Sequence, residues 1–198
     1  MPNTDPSFAP HTGPAIRAAL DALHARSVHF WSAFETAAFF APLGEAWSPA
    51  ENVRHLTKSM RAVTQGLRVP RLLLLVRFGR ASRASRSFEA MREIYLARLG
   101  QGASAGRFAP SPRRAPVDPA SERAEIMAHH AQAVGELGDA IALWPERALE
   151  RRRLPHPLLG TLPVREMLLF TLYHNQHHVN NVRRRMAAND SSTGAEGT

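Results

Sequence analysis

The chain has 198 residues, 44% of them hydrophobic, which is enough for one domain with a real core. It carries 25 Lys and Arg against 17 Asp and Glu, a net charge of +8 held almost entirely by arginine, and it has no cysteine. Disulfides, zinc–thiolate sites and a thiol nucleophile of its own are excluded, so a metal site must use histidine and carboxylates, and thiol chemistry must borrow its thiol from a cosubstrate. The excess charge fits an anionic partner, and equally an Arg- and Ala-rich genome.

Residues 1–13 read as a flexible leader, with three prolines and an Asp but no basic stretch of the kind a signal peptide needs. A single helical domain is expected over 14–188, and a flexible tail over 189–198. The longest clean apolar run, Leu72 to Val76, is too short to span a bilayer, so the default is a soluble cytoplasmic protein.

From about Ala15, Leu20, Leu23, Ser27, Phe30, Trp31 and Phe34 recur at three-and-four spacing and predict helix one, ending near Pro42. Trp47-Ser48-Pro49-Ala50-Glu51 is a sharp start for helix two, over 49–67. Ser48 can cap, Pro49 suits the first position, and Glu51 can reach back to the cap amide. His55 lies on the edge of that helix's apolar stripe. Residues 68–117 then form a long basic insertion. Between Arg68 and Arg114 there are 11 arginines against Glu89 and Glu93, a net +9. It reads as mostly irregular with one small helix over 88–99, and Arg80 to Arg86 as a solvated loop. Asp118-Pro119 opens helix three, whose inner stripe includes His130 and which Trp144-Pro145 ends. The charged stretch 146–153 reads as exposed. A turn-rich connector over 154–160 leads to helix four, about 162–188, with Pro163 in its first turn. No convincing strand is evident. Four long amphipathic helices with one long connection predict an all-α, four-helix bundle, and bundles place metal sites between facing helices.

On helix four, His174 and His178 are four residues apart and share one face. Two imidazoles so placed can hold one metal ion, given a third ligand from elsewhere. Hydrogen bonds to Asn or Thr would also offset the cost of burying them. His55 alone reads as a satisfied core histidine or as a ligand. His130 is a candidate fourth ligand. His177 points roughly 100° away from His178 on the helix, toward solvent or behind the ligands. Glu51, Asn175 and Asn181 are candidates to orient ligand imidazoles.

At these residues the sequence resembles the DinB/YfiT-like family of metal-dependent proteins. Trp47-Ser-Pro-Ala-Glu-Asn-Val-Arg-His55-Leu56 is similar to the motif opening the family's second helix. His156-Pro-Leu-Leu-Gly160 and the His174-x-x-His177-His178 helix are similar to its connector and ligand helix. After the His pair the family more usually continues Arg-Gly-Gln, where this chain has Val179-Asn180-Asn181. The resemblance implies a four-helix bundle with His55, His174 and His178 as metal ligands. It implies nickel or zinc most often, with iron, manganese or copper as further divalent ions. It also implies a small-molecule substrate and, in several members, transfer or isomerisation with a low-molecular-weight thiol such as mycothiol, bacillithiol or glutathione. A metal-dependent transferase, isomerase or hydrolase is one expectation. A non-catalytic, stress-related metal-binding bundle is the other. The Arg-rich segment could close over the site and clamp a carboxylate or phosphate. Nucleic-acid binding through it has no supporting motif. A homodimer is a further expectation.

Overall fold

A computed structural model of the chain describes residues 10–110 and 115–193, with side chains to 188. The leader expected at 1–13 and the tail expected at 189–198 lie largely outside these residues. So do Arg113 and Arg114 of the basic insertion. Four long helices form the bundle: α1 (Gly13–Ser32), α3 (Pro49–Arg68), α6 (Pro119–Ala142) and α8 (Val164–Thr193). α3 packs most extensively on α6, and both α1 and α3 also meet α8. Trp31, Phe39, Leu56, Met60, Leu137, Ile141 and Leu168 are among the side chains fully removed from water. Burying each such side chain contributes about 1.5–3 kcal/mol. No described helix is long and apolar enough to cross a membrane.

The start of α3 follows its sequence signature. Ser48 Oγ accepts from Glu51 N at 3.2 Å, and the Glu51 carboxylate accepts from Ser48 N at 2.8 Å. Pro119 opens α6 after Asp118, whose carboxylate accepts from the amides of Ala120 and Ser121. The other differences from expectation come from distant partners. Helix one does not run through to Phe40. It stops at Ser32, and a short α2 (Thr36–Phe40) follows. The carbonyls of Trp31 and Ser32 accept from the Arg123 guanidinium on α6, which satisfies the orphan end of α1.

The basic insertion carries more helix than expected, with α4 (Arg71–Phe78) in addition to α5 (Phe88–Gly100). Gly79 ends α4 with a positive φ of 69°. Arg80 to Arg86 is not simply a solvated loop. Arg83 and Arg86 both bind the carboxylate of Glu166, which is fully buried on the first turn of α8. Glu150 accepts from the backbone and hydroxyl of Ser85. The stretch expected to be exposed forms α7 (Glu146–Arg151). Its Leu149 is fully buried, and Glu146 caps the amide of Gly13 at 2.6 Å. The connector is an antiparallel hairpin, β1 (Arg153–His156) with β2 (Gly160–Pro163), in which His156 pairs with Gly160. Pro163 therefore ends a strand, and α8 begins at the next residue.

Candidate metal centre

His55 comes from the second turn of α3, and His174 and His178 from successive turns of α8. All three are buried. His174 Nε2 lies 3.1 Å from His55 Nε2 and 3.2 Å from His178 Nε2. The outer nitrogens are fixed. His55 Nδ1 donates to the carbonyl of Phe108 at 2.8 Å. His178 Nδ1 donates to Asn52 Oδ1 at 2.7 Å. The orientation of that amide is set because its NH2 donates to the carbonyls of Ser48, at 2.9 Å, and Trp47. With Nδ1 protonated on both rings, Nε2 of His55 and of His178 each carries a lone pair turned toward His174.

His174 can donate one N–H at most, so the three inner nitrogens cannot all satisfy one another. A proton does not resolve the conflict, because burial holds all three imidazoles below their ordinary pKa, aided for His174 by His178 and His55 and for His178 by His55. Metal ligation requires that neutral form. Tetrahedral ligands at about 2.0–2.1 Å from an ion lie about 3.3 Å from one another. The observed 3.1 and 3.2 Å are close to that spacing, so this cluster could hold a metal ion.

Aromatic side chains pack on the rings. Phe170 stacks on His174 at 5.1 Å, and Trp47 stacks on His178 at 6.1 Å and lies 5.0 Å from His55. The histidines open onto a cavity of about 680 Å3 whose lining includes Tyr95, His156, Phe170, His177 and Asn181.

The sequence matches the DinB superfamily over residues 19–182, from α1 to beyond the histidine turn of α8. The chain belongs to the DinB superfamily. Its fold is also similar to the crystal structure of TT2238, a four-helix bundle protein, with a TM-score of 0.54 at 17% identity, covering 87% of this chain and 99% of that one. No curated protein matches the chain significantly.

In this DinB-superfamily protein the remaining candidates divide. His177 and Asn181 line the cavity, and Asn181 Nδ2 lies 3.0 Å from His177 Nε2. Burial, with Arg184 nearby, lowers the His177 pKa to about 4. Glu51 is committed to the capping box, and Asn175 donates back to the Thr171 carbonyl at 2.8 Å. His130 stands apart from the three, its Nδ1 donating to Thr57 Oγ1 at 3.1 Å. His156 has a structural role in the connector. Its Nδ1 accepts from the amides of Leu158 and Leu159 and closes the hairpin turn.

Sequence reasoning missed Asn52 and the Phe108 carbonyl, which set the tautomers. Asn52 had a usable signal: it stands three residues before His55, on the same helix face. Phe108 had none, because it acts through its backbone from 53 residues away. Tyr95 was also missed as a cavity residue. Burial raises its hydroxyl pKa to about 12, so it remains a hydrogen-bond donor at any physiological pH.

Proposed function

We propose that this protein is a divalent-metal-dependent enzyme acting on a small molecule in the cavity, with His55, His174 and His178 as the ligands. The convergence of three neutral imidazole nitrogens on one point carries this reading. Three protein ligands leave a position for water or substrate, as in catalytic rather than closed structural sites. What a bound ion supplies is Lewis acidity, which makes a nucleophile from water or a thiol near neutral pH. Nickel and zinc both suit three imidazoles. Because the chain has no cysteine, a thiol reaction would use an external low-molecular-weight thiol.

The chain's own residues divide the remaining work. Asn52 and the Phe108 carbonyl hold the His178 and His55 rings with Nε2 inward. Trp47 and Phe170, stacked on the His178 and His174 rings, cover ring faces with apolar surface at the cavity wall. Tyr95, a protonated phenol in the cavity wall, can donate a hydrogen bond to a substrate oxygen. His177, neutral at pH 7, can form a hydrogen bond with a substrate through its other ring nitrogen.

The test is turnover of thiol-transfer and ester-hydrolysis substrates by nickel- and zinc-loaded protein, beside a His174→Ala variant. Activity that follows metal content and disappears in the variant is the expected result. Metal-dependent stability with no turnover would favour the other reading, a non-catalytic metal-binding bundle. A His174→Ala variant that holds metal at wild-type stoichiometry would remove the ligand assignment.

A further inference from the structure

We infer that the cavity takes a carboxylic acid with an apolar body, its carboxylate held at the rim by Arg185 and Arg107 and its other end toward the histidines. The inference deepens the proposed function and rests on it only for what lies at the inner end. The body of the ligand follows from the walls, where Val63, Leu99, Leu154, Met167, Phe170 and Val182 give an apolar lining.

The acid follows from the charges. Arg185 continues the histidine face of α8, seven residues beyond His178, so it stands about 10 Å farther along the helix. Its two neighbours are engaged elsewhere: Arg183 lies over the Phe30 ring, and Arg184 donates to Asn181. Arg185 lines the cavity, is exposed, and pairs with no carboxylate among the described residues. Arg107 also lines the cavity and is exposed, in the turn Gly106–Phe108 whose Phe108 carbonyl holds His55. Its guanidinium lies over the Phe108 ring and likewise has no carboxylate partner among the described residues. By contrast Arg17, Arg54, Arg68, Arg83, Arg86 and Arg165 each pair with an Asp or Glu.

The only acidic residue lining the cavity among those described is Glu45, which is exposed. A divalent ion on three neutral imidazoles would add positive charge with no buried carboxylate to offset it. Two unpaired guanidiniums at the mouth of an apolar chamber match a carboxylate, which they can bind through charge-assisted hydrogen bonds.

The experiment is calorimetric titration of octanoate, octanol and octylamine into the full chain, nickel-loaded and metal-stripped. Wild type is compared with Arg185→Gln, Arg107→Gln and the double variant. Both arginines are exposed, so the substitutions should leave the thermal unfolding transition in place. We expect octanoate to bind at least about tenfold tighter than octanol, as hydrogen bonds to a charged group imply. Octylamine should bind most weakly. The double variant should lose the acid preference with octanol unchanged, and the preference should survive removal of the metal. Equal binding of acid and alcohol would overturn the inference, as would no binding of either. So would a preference that disappears with the metal but not with the arginines, since the carboxylate would then go to the ion. Metal content measured on the same samples separates the two ideas. A wild type that takes up no nickel sinks the metal reading, while the stripped protein still tests the rim.

Discussion

The bundle buries two groups of histidines and treats them differently. Between α1, α3 and α6, His130 donates to Thr57, which in turn donates to the Val53 carbonyl, and the nearest imidazole, that of His24, lies 5.5 Å away. Between α3 and α8, the His55 and His178 rings donate outward, and all three rings aim Nε2 at one another. In the first group the His130 Nδ1 is satisfied by protein atoms alone, and His24 Nδ1, a buried nitrogen without a partner among the described residues, has no second imidazole nitrogen converging on it at hydrogen-bond distance. In the second, inner nitrogens remain whose mutual contacts cannot all be hydrogen bonds. Burial by itself therefore says little about a histidine. What separates a core histidine from a candidate ligand is where the second nitrogen points once the first is satisfied.

The largest effect that would break this contrast is on metal-linked stability. At a free metal concentration about 100 times Kd, binding to the folded state alone adds about 2.7 kcal/mol. Wild type should melt several degrees higher with nickel or zinc than with chelator. His174→Ala should lose that difference, and His130→Leu should keep it. A metal shift that disappeared in His130→Leu would merge the two groups.

The acid response should come next. Burial first, then the neighbouring His24, depresses the His130 pKa to about 3 from 6.5. The unfolded chain therefore takes up a proton near pH 6.5 that the folded chain refuses until about pH 3, and stability falls with pH across that window. Relative to pH 7.5, His130 should account for about 2 kcal/mol of lost stability at pH 5. Urea unfolding of His130→Leu should show a shallower loss by that amount. Glu166 contributes lower down. Burial opposes its charge, but Arg83 and Arg86 outweigh this and hold its pKa at about 2 instead of 4.5. Its stabilisation is present above pH 4.5 and is lost as pH falls toward 2.

Smaller effects sharpen the account further. Asn52→Ala removes the acceptor that orients His178, and metal affinity in a competition titration should weaken about ten- to a hundredfold. Unchanged affinity would mean that the tautomer of His178 is set by something else. Ser48→Ala should cost about 1 kcal/mol of stability through the lost cap, with metal stoichiometry unaffected.

Much of this was legible in the chain itself, wherever cause and effect lie within a few residues. The α3 capping box, the proline-led start of α6 and the i, i+4 histidine pair are local patterns, and the structure holds all three. The elements that were not legible depend on partners far away in sequence. The break after Ser32 answers to Arg123, and the order of Arg80 to Arg86 answers to Glu166, whose bond to Arg86 joins residues 80 apart. α7 is held by the fully buried Leu149 and by the tie from Glu146 to Gly13. The hairpin contains prolines and a positive-φ glycine, Gly160, which read locally as a turn and not as strands. At the site the His174 and His178 pair was visible from spacing, and His55 from the resemblance to the DinB/YfiT-like family. The groups that orient two of them were not, because one is a backbone carbonyl and the other an amide beside a more conspicuous glutamate.

The most direct test of the central claim is elemental analysis of untagged protein. The protein would be stripped with chelator and reloaded with nickel or zinc, beside a His55/His174/His178 triple alanine variant and His130→Leu. We expect one divalent ion per chain in wild type and in His130→Leu, and none in the triple variant. No retained metal in wild type, or equal retention in the triple variant, would contradict the account.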